Sequence, residues 1–379
     1  MKTWQREIAF AAGLTLALVA AAERLRPAPS PFASGPPASP QVTTLAVPRT
    51  DASINVYADT VQPYLHRSTS GLPERVYVPN SEDGTVDVID PAERTVVGHF
   101  AVGRVPHHIT PAWDMRALYV DNTVSNTLTV IDPRMGQPVD TLQVRDPYNL
   151  YFTLDGTTAV VVAERDQRLD LYTLPGWTPA GSVPVPWKGV DHLDFSVNGR
   201  ILLASAEYGG AVVKVDVAAR AVTGSVEVGG LPVDVRLAPD GAVFYATNQG
   251  RHGVSVINPA RMEEIQFIPT GRGAHGLQIS RDARALYVSN RLAGTISVID
   301  LTTRRIVTTW HVGGSPDMMQ ISPDGHELWV SNRFASSVAV INTTTGRVLD
   351  TIAVGSSPHG LTYFPQPGRF SLGHNEVYR

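Results

Sequence analysis

The sequence of 379 residues contains no cysteine. It therefore has no disulfide, thiol nucleophile, zinc–cysteine site, iron–sulfur cluster or lipid-modified cysteine. The sequence also has no large excess of one charge, because 31 Lys and Arg are balanced by 35 Asp and Glu. This balance argues against a nucleic-acid partner. Long helices are disfavoured, since 32 Gly and 29 Pro interrupt the chain. The composition predicts a turn-rich fold that does not bind nucleic acid.

The common catalytic motifs are absent as well. The sequence has no G-x-S-x-G, H-E-x-x-H or P-loop, so the usual hydrolase, zinc-protease and nucleotide-binding interpretations lack support. One match to G-x-G-x-x-G, at Gly271–Gly276, opens a predicted strand and no helix, so the context for binding a dinucleotide is missing.

The N-terminus has the pattern of an export signal. Lys2 and Arg6 precede fifteen mostly apolar residues, from Ile8 to Ala22. We predict that residues 1–22 are a signal peptide or, alternatively, an uncleaved N-terminal anchor, which would be the only contact with a membrane. Residues 23–49 are predicted to form a linker rich in Pro, Ser and Ala. We expect an exported protein that is periplasmic, on the cell surface or secreted.

A period of 42 residues organises the rest of the chain. Within one unit, Ala285 to Asp300 contains two alternating strands joined by a Gly-containing turn, and a third strand follows at Arg305–Val312. A fourth strand begins at Asp317 and ends at the turn Pro323-Asp324-Gly325. The strand that ends at Asn290 is the second of a blade when the inner strand is counted first, and its counterparts in register end at Asn80, Asn122, Glu164, Ala206, Asn248 and Asn332. Four strands per unit predict propeller blades, and seven units predict an all-β, seven-bladed propeller over residues 50–379.

The two ends of the array predict how the ring closes. The first unit begins with Arg75–Pro79 and has no inner strand before it, whereas His359–Phe364 is an inner strand left over at the C-terminus. Pairing the two completes a blade and removes the exposed edges of an open array. We expect a closed monomeric ring, in which residues 368–379 have no assigned place.

These motifs resemble the YVTN-repeat family of seven-bladed propellers. The resemblance rests on Tyr287–Asn290, Thr295–Asp300 and Val312–Pro316, and Asp146–Asn149 and Gly189–His192 are similar to an exported bacterial subgroup. It implies secretion, binding roles at the cell surface or in the periplasm, and distant likeness to lactonases and to copper or haem propellers.

One face of the predicted ring is rich in polar side chains. Strands within a blade are antiparallel, so the start of each inner strand and the end of each second strand lie on the same face. Five of the eleven histidines fall at these positions. The candidate metal ligands are His108, His192, His275 and His359. The candidate ligand-binding residues are Asp191, Asp234, Asp317, Arg165, Arg291 and Arg333.

The polar face allows structural and functional interpretations. We expect the recurring Asn to be structural and the Arg side chains to form ion pairs in the rim, or to hold an anionic ligand. Without cysteine, a copper or zinc site would depend on the imidazoles. His108 and His192 lie one position later in the repeat than His275 and His359, so strand alternation predicts that two or three of the four converge.

Two functions from different classes follow. The first is an exported binding or scaffold protein that takes a small molecule or a protein at the channel mouth. The alternative is a metal-dependent enzyme, either a copper or zinc oxidoreductase or a lactonase-like hydrolase, that uses the same face. Propellers host both, so the fold alone leaves open whether the protein is an enzyme.

Overall fold

The computed structural model describes residues 54–61, 65–374 and 378–379, so the predicted signal peptide and linker lie outside the described residues. In the described part, 28 strands form seven antiparallel four-stranded sheets, which confirms the seven-bladed propeller. A short helix, α1 (Ala58–Val61), precedes the first blade. No described helix is long and apolar enough to cross a membrane.

In each of the first four blades, the four strands follow one another from the channel outward. Blade 1 takes its inner strand from the C-terminal part of the chain. Blade 1 contains β28 (Thr362–Phe364), β1 (Arg75–Asn80), β2 (Thr85–Asp90) and β3 (Thr95–Ala101). Blade 2 contains β4 (Pro106–Pro111), β5 (Leu118–Asn122), β6 (Thr127–Asp132) and β7 (Gln137–Gln143). Blade 3 contains β8 (Asn149–Phe152), β9 (Thr158–Ala163), β10 (Arg168–Thr173) and β11 (Thr178–Pro184). Blade 4 contains β12 (Val190–Phe195), β13 (Ile201–Ala206), β14 (Ala211–Asp216) and β15 (Ala221–Glu227).

The remaining three blades follow the same order. Blade 5 contains β16 (Pro232–Leu237), β17 (Phe244–Asn248), β18 (Gly253–Asn258) and β19 (Glu263–Pro269). Blade 6 contains β20 (Ala274–Ile279), β21 (Ala285–Asn290), β22 (Thr295–Asp300) and β23 (Arg305–His311). Blade 7 contains β24 (Pro316–Ile321), β25 (Glu327–Asn332), β26 (Ser337–Asn342) and β27 (Val348–Ala353).

The predicted closure is confirmed by strand pairing. In blade 1, Arg75 pairs with Phe364 and Tyr77 with Thr362, both antiparallel. An isolated bridge between Asn80 and Pro358 extends the contact toward the channel mouth. The closing strand itself is shorter than expected and begins at Thr362.

Burial follows the position of each strand in its blade. All six residues of β12, β16 and β24 are buried, because inner strands pack between neighbouring blades and line the channel. The outer strand β7 is exposed at six of its seven positions. The recurring Asn is structural, as expected: Asn122 donates its side-chain amide to Thr127 and Thr129 and accepts the Gly103 amide.

The C-terminal residues occupy the channel, which the sequence did not predict. The Phe152 amide of β8 donates to the Leu372 carbonyl at 2.9 Å, and Gly373 forms an antiparallel bridge with Tyr151. Gly373 lies so close to β8 that a Cβ there would meet the Leu150 carbonyl at 2.4 Å. This segment therefore runs along the inner strand of blade 3 and carries His374 into the channel.

Candidate functional site

In five of the seven blades, the channel-mouth residues lie where the pairing of the inner strand is interrupted. In β12, Val190 and Leu193 pair with β13, and Asp191 and His192 between them do not. The same two-residue interruption occurs in β4, β16, β20 and β24. Such irregularities re-aim side chains and are typical of sites. In these five blades, two consecutive residues of the inner strand are left without partners in the strand pairing.

Hydroxyl side chains of the second strands hold these interruptions in place. In four blades the freed amide donates to a Ser or Thr hydroxyl, in the pairs His192–Ser205, Asp234–Thr247, Gly276–Ser289 and Met318–Ser331. Three of those hydroxyls also donate to a carbonyl of the next blade, at His275, Asp317 and His359. Because each of these three hydroxyls ties two blades together, the site backbone is fixed by hydrogen bonds that regular pairing would not provide.

The first histidine set consists of His108, His192 and His374. Their ring centroids are 3.8 Å apart for His108 and His374, 4.6 Å for His192 and His374, and 5.4 Å for His108 and His192. One ring nitrogen from each lies within 4.8 Å of the others, and all three residues are buried. Gly360 makes this packing possible, because a Cβ there would lie 2.0 Å from His108 Nδ1.

Protonation differs between two members of this first set. Burial and the neighbouring imidazoles hold the pKa of His108 well below its ordinary value, so His108 is neutral. Burial alone would also lower the pKa of His192, but Asp191, whose Oδ1 lies 2.7 Å from His192 Nδ1, raises it instead. Asp191 is only 2% exposed, so its charge acts on His192 with little solvent screening.

The second set consists of His275, Asp317 and His359, joined by arginine. Asp317 lies 2.8 Å from His275 Nδ1 and 3.7 Å from His359 Nε2. Arg291 donates to Asp317 and lies against His275 Nε2. Burial and the Arg291 charge lower the pKa of His275 to about 4. Although burial opposes it, the charge of Arg291 holds the pKa of Asp317 well below its ordinary value. The second set is thus a neutral histidine pair around an ionised carboxylate.

The two sets touch, so all four predicted histidines belong to one run of rings. The His108 and His359 centroids are 4.6 Å apart, and those of His275 and His359 are 5.8 Å apart. The interrupted strand lets both repeat positions face the channel, so all four rings lie in one run, but only two of the four histidines contribute to each ligand set, as alternation predicts. The ligand nitrogens nevertheless divide into two sets.

An acidic wall flanks the first set. Burial and the charge of Asp191 raise the pKa of Glu164 to about 8 and that of Glu207 to about 7. Tyr148 lies beside it, with its ring centroid 4.8 Å from that of His107, and burial raises the Tyr148 pKa well above its ordinary value. At neutral pH Glu164 and Tyr148 are mostly protonated and Glu207 is about half protonated, so this wall supplies donors as well as negative charge.

Two predicted ligand-binding residues are engaged elsewhere. Arg165 donates to Asp146 at 2.5 Å and to the Thr123 carbonyl at 2.7 Å, so it forms an ion pair, with a partner that the sequence did not suggest. Asp234 accepts the Leu277 amide at 2.8 Å and lies 3.9 Å from Arg236, so its carboxylate joins blades 5 and 6.

Sequence reasoning missed two members of the cluster. His107 stands at the same repeat position as His275 and His359, and its ring lies 5.3 Å from that of His359. The shared repeat position could have identified His107 as a member of the cluster from the sequence. His374 had no such signal, because its 42-residue spacing from Asn332 points to a second-strand position that it does not occupy.

The architecture and its mouth define a class: a seven-bladed β-propeller with a channel closed by histidines. A family model described as a YNCE-like β-propeller matches residues 58–367. The chain therefore belongs to the YNCE-like β-propeller family. No curated protein sequence matches it.

Solved structures share the fold at low identity. Hydrazine synthase of Kuenenia stuttgartiensis is 20% identical, with a TM-score of 0.60, over 74% of this chain and 99% of that chain. The periplasmic gluconolactonase PpgL of Pseudomonas aeruginosa is 22% identical, with a TM-score of 0.65, over 78% and 99%. A functionally unknown protein of Desulfotomaculum acetoxidans is 16% identical, with a TM-score of 0.67, over 77% and 99%. At these identities the likeness shows the fold alone.

Proposed function

We propose that this protein is an exported propeller of the bacterial envelope that binds one copper or zinc ion at His108, His192 and His374. His108 carries the proposal. Its imidazole is fully buried, and neither ring nitrogen has a hydrogen-bond partner among the described residues. An unsatisfied buried polar group costs about 1–3 kcal/mol, and a metal ion would satisfy one of the two nitrogens.

The donor set fits copper or zinc. Three imidazoles without thiolate or carboxylate ligands suit these ions, and the neutral form of His108 is the form that binds metal. Ligand nitrogens on one tetrahedral zinc are about 3.3 Å apart, so side-chain rotation must draw together nitrogens that lie within 4.8 Å of one another. Asp191 beside His192 supplies the carboxylate that commonly orients a metal-bound histidine.

The second set is the weaker candidate for a cation. His275, Asp317 and His359 also bring their ligand atoms within 4.8 Å of one another, but Arg291 contacts two of the three and Arg333 lies 3.9 Å from Asp317. These guanidinium charges oppose a metal ion. In the first set, the carboxylate of Asp191 lies against His192, and its negative charge favours a metal ion.

A metal-dependent enzyme remains the second candidate. Three protein ligands leave a fourth position open on zinc, as in catalytic rather than structural sites. Tyr148 and His107 lie beside that set, with the Tyr148 ring centroid 5.9 Å from that of His108. The gluconolactonase and hydrazine synthase among the similar structures agree with a catalytic propeller only at the level of fold.

The test is metal binding by the purified protein. We expect chelator-treated protein to take up one Zn²⁺ or Cu²⁺ per chain, and the His374→Ala variant to lose this binding. His374 is the most useful position, because it lies outside every blade and its loss should leave the fold intact. His275→Ala is the matched control and should retain the ion. Folded wild-type protein that takes up no ion, or a His374→Ala variant that binds as tightly, would overturn the proposal.

A further inference from the structure

Three arginines occupy the same position of the repeat, and only one of them lacks a hydrogen-bonded partner among the described residues. Arg165, Arg291 and Arg333 each follow the end of a second strand, at separations that are multiples of 42 residues. Arg165 is bound to Asp146, and Arg291 to Asp317 and Gln249. The Arg333 side chain donates no hydrogen bond to any residue of the described ranges.

Arg333 is placed over the histidine run. It begins the 3₁₀ helix Arg333–Ala335, and its side chain is 23% exposed, so part of the side chain is open to solvent. Its charge lowers the pKa of His107, after burial, and contributes to the low pKa of His359. Arg333 and His359 both lie near Asp317 Oδ2, at 3.9 and 3.7 Å, so a group bound to Arg333 would lie near the His359 ring.

The charge of Arg333 is only partly balanced by its nearest carboxylate. Asp317 Oδ2 lies 3.9 Å from the guanidinium, within reach of an ion pair but beyond hydrogen-bonding distance. Asp317 already accepts from Arg291 and lies 2.8 Å from His275 Nδ1. Two guanidinium groups thus share one carboxylate, and the donors of Arg333 are left without a hydrogen-bonded acceptor among the described residues.

We propose that Arg333 is the anchor of a small-anion site at the channel mouth, with Arg291 contributing the second positive charge behind it. A guanidinium with its donors unused matches the oxygen pair of a carboxylate or an inorganic oxyanion. Neighbouring ring centroids in the run are only 3.8 to 5.8 Å apart, so the ligand would lie beside the rings and not between them. This site does not require the metal.

The experiment measures anion binding to metal-free protein, with acetate and inorganic phosphate as probes and chloride as the reference. We expect one of the two oxyanions to bind at one site per chain in calorimetric titration. Binding of phosphate alone identifies an inorganic oxyanion site, and binding of acetate identifies a carboxylate site. Arg333→Gln should weaken that binding at least 10-fold, and Arg333→Lys should weaken it less, because the charge is kept but the paired donors are lost.

Arg165→Gln is the matched control and should bind the anion like wild type. Zinc content measured on the same samples separates this inference from the proposed metal site, because Arg333→Gln should retain the ion. The inference is overturned if neither probe binds, or if Arg333→Gln and Arg165→Gln bind the probe equally well.

Discussion

Asp191 offers the sharpest test of the metal site, because it touches a proposed ligand without being one. Its Oδ1 lies 2.7 Å from His192 Nδ1. Neither carboxylate oxygen makes a hydrogen bond of good geometry to another described residue. The carboxylate is thus placed beside Nδ1 of His192, where holding the proton on that nitrogen would leave Nε2 for the proposed metal ion.

The expected magnitude follows from that role. Losing the group that orients a metal-bound histidine weakens metal affinity by about 10–100-fold. Asp191→Asn keeps an acceptor oxygen but removes the charge, so we expect a loss near the lower end, about 10-fold or 1.4 kcal/mol. Asp191→Ala removes both, so we expect a loss near the upper end, about 100-fold or 2.7 kcal/mol.

The assay is competitive titration of Zn²⁺ against a chromophoric chelator at pH 8, where protons compete least for His192, whose pKa is raised. The control is Asp87→Asn, since Asp87 lies 2.6 Å from His99 Nδ1 in blade 1, away from the channel. If both Asp191 variants bind zinc within twofold of wild type while the three histidines remain essential, then Asp191 does not orient His192 and the reasoning fails.

Three further predictions test closure, electrostatics and export. Truncation before Pro358 removes Thr362–Phe364, so thermal melting should show a loss of stability far beyond the roughly 0.5 kcal/mol of a surface substitution, and an unchanged melt would contradict the closure. Folding raises the pKa of Glu164 to about 8 and of Glu207 to about 7, so the free energy of unfolding should fall as pH rises from about 5 to about 8. The variant that carries both Glu164→Gln and Glu207→Gln should lack that part of the pH dependence in denaturant unfolding. A pH profile identical to that of wild type would contradict the raised pKa values. N-terminal sequencing of native protein should find a mature start near Glu23 in the exported fraction, whereas an intact N-terminus in the cytoplasm would refute export.

The fold was predictable because each blade repeats its own local rules. The turn Pro323-Asp324-Gly325 shows why: Gly325 has φ of 81°, and the Asp324 carboxylate accepts the His326 amide at 3.0 Å. Such turns set where strands end without reference to the rest of the chain. Closure was predictable for a related reason, because an inner strand at one end and its missing partner at the other are both visible in the repeat phase.

Only the site residues that belong to the repeat could be predicted from the sequence. His108 and His192 come from the repeat, but His374 comes from a segment outside it, and no period places that segment in the channel. The pairing of Arg165 with Asp146 was hidden for another reason, because Asp146 lies in the loop before β8 and the other units have no carboxylate at that repeat position.

The interrupted pairing explains why all four predicted histidines lie in one run of rings, although alternation correctly divides them into two ligand sets. In a regular strand, neighbouring residues point to opposite faces, so His108 and His359, which differ by one repeat position, would not meet. Here Pro106 and Ile109 pair with β5 while His107 and His108 do not, and both rings lie within 5.3 Å of the His359 ring. The one-position difference still has an effect, because it assigns His108 to the set beside Asp191 and His359 to the set around Asp317. A single repeat position therefore separates the proposed metal site from the arginine-bound carboxylate of Asp317.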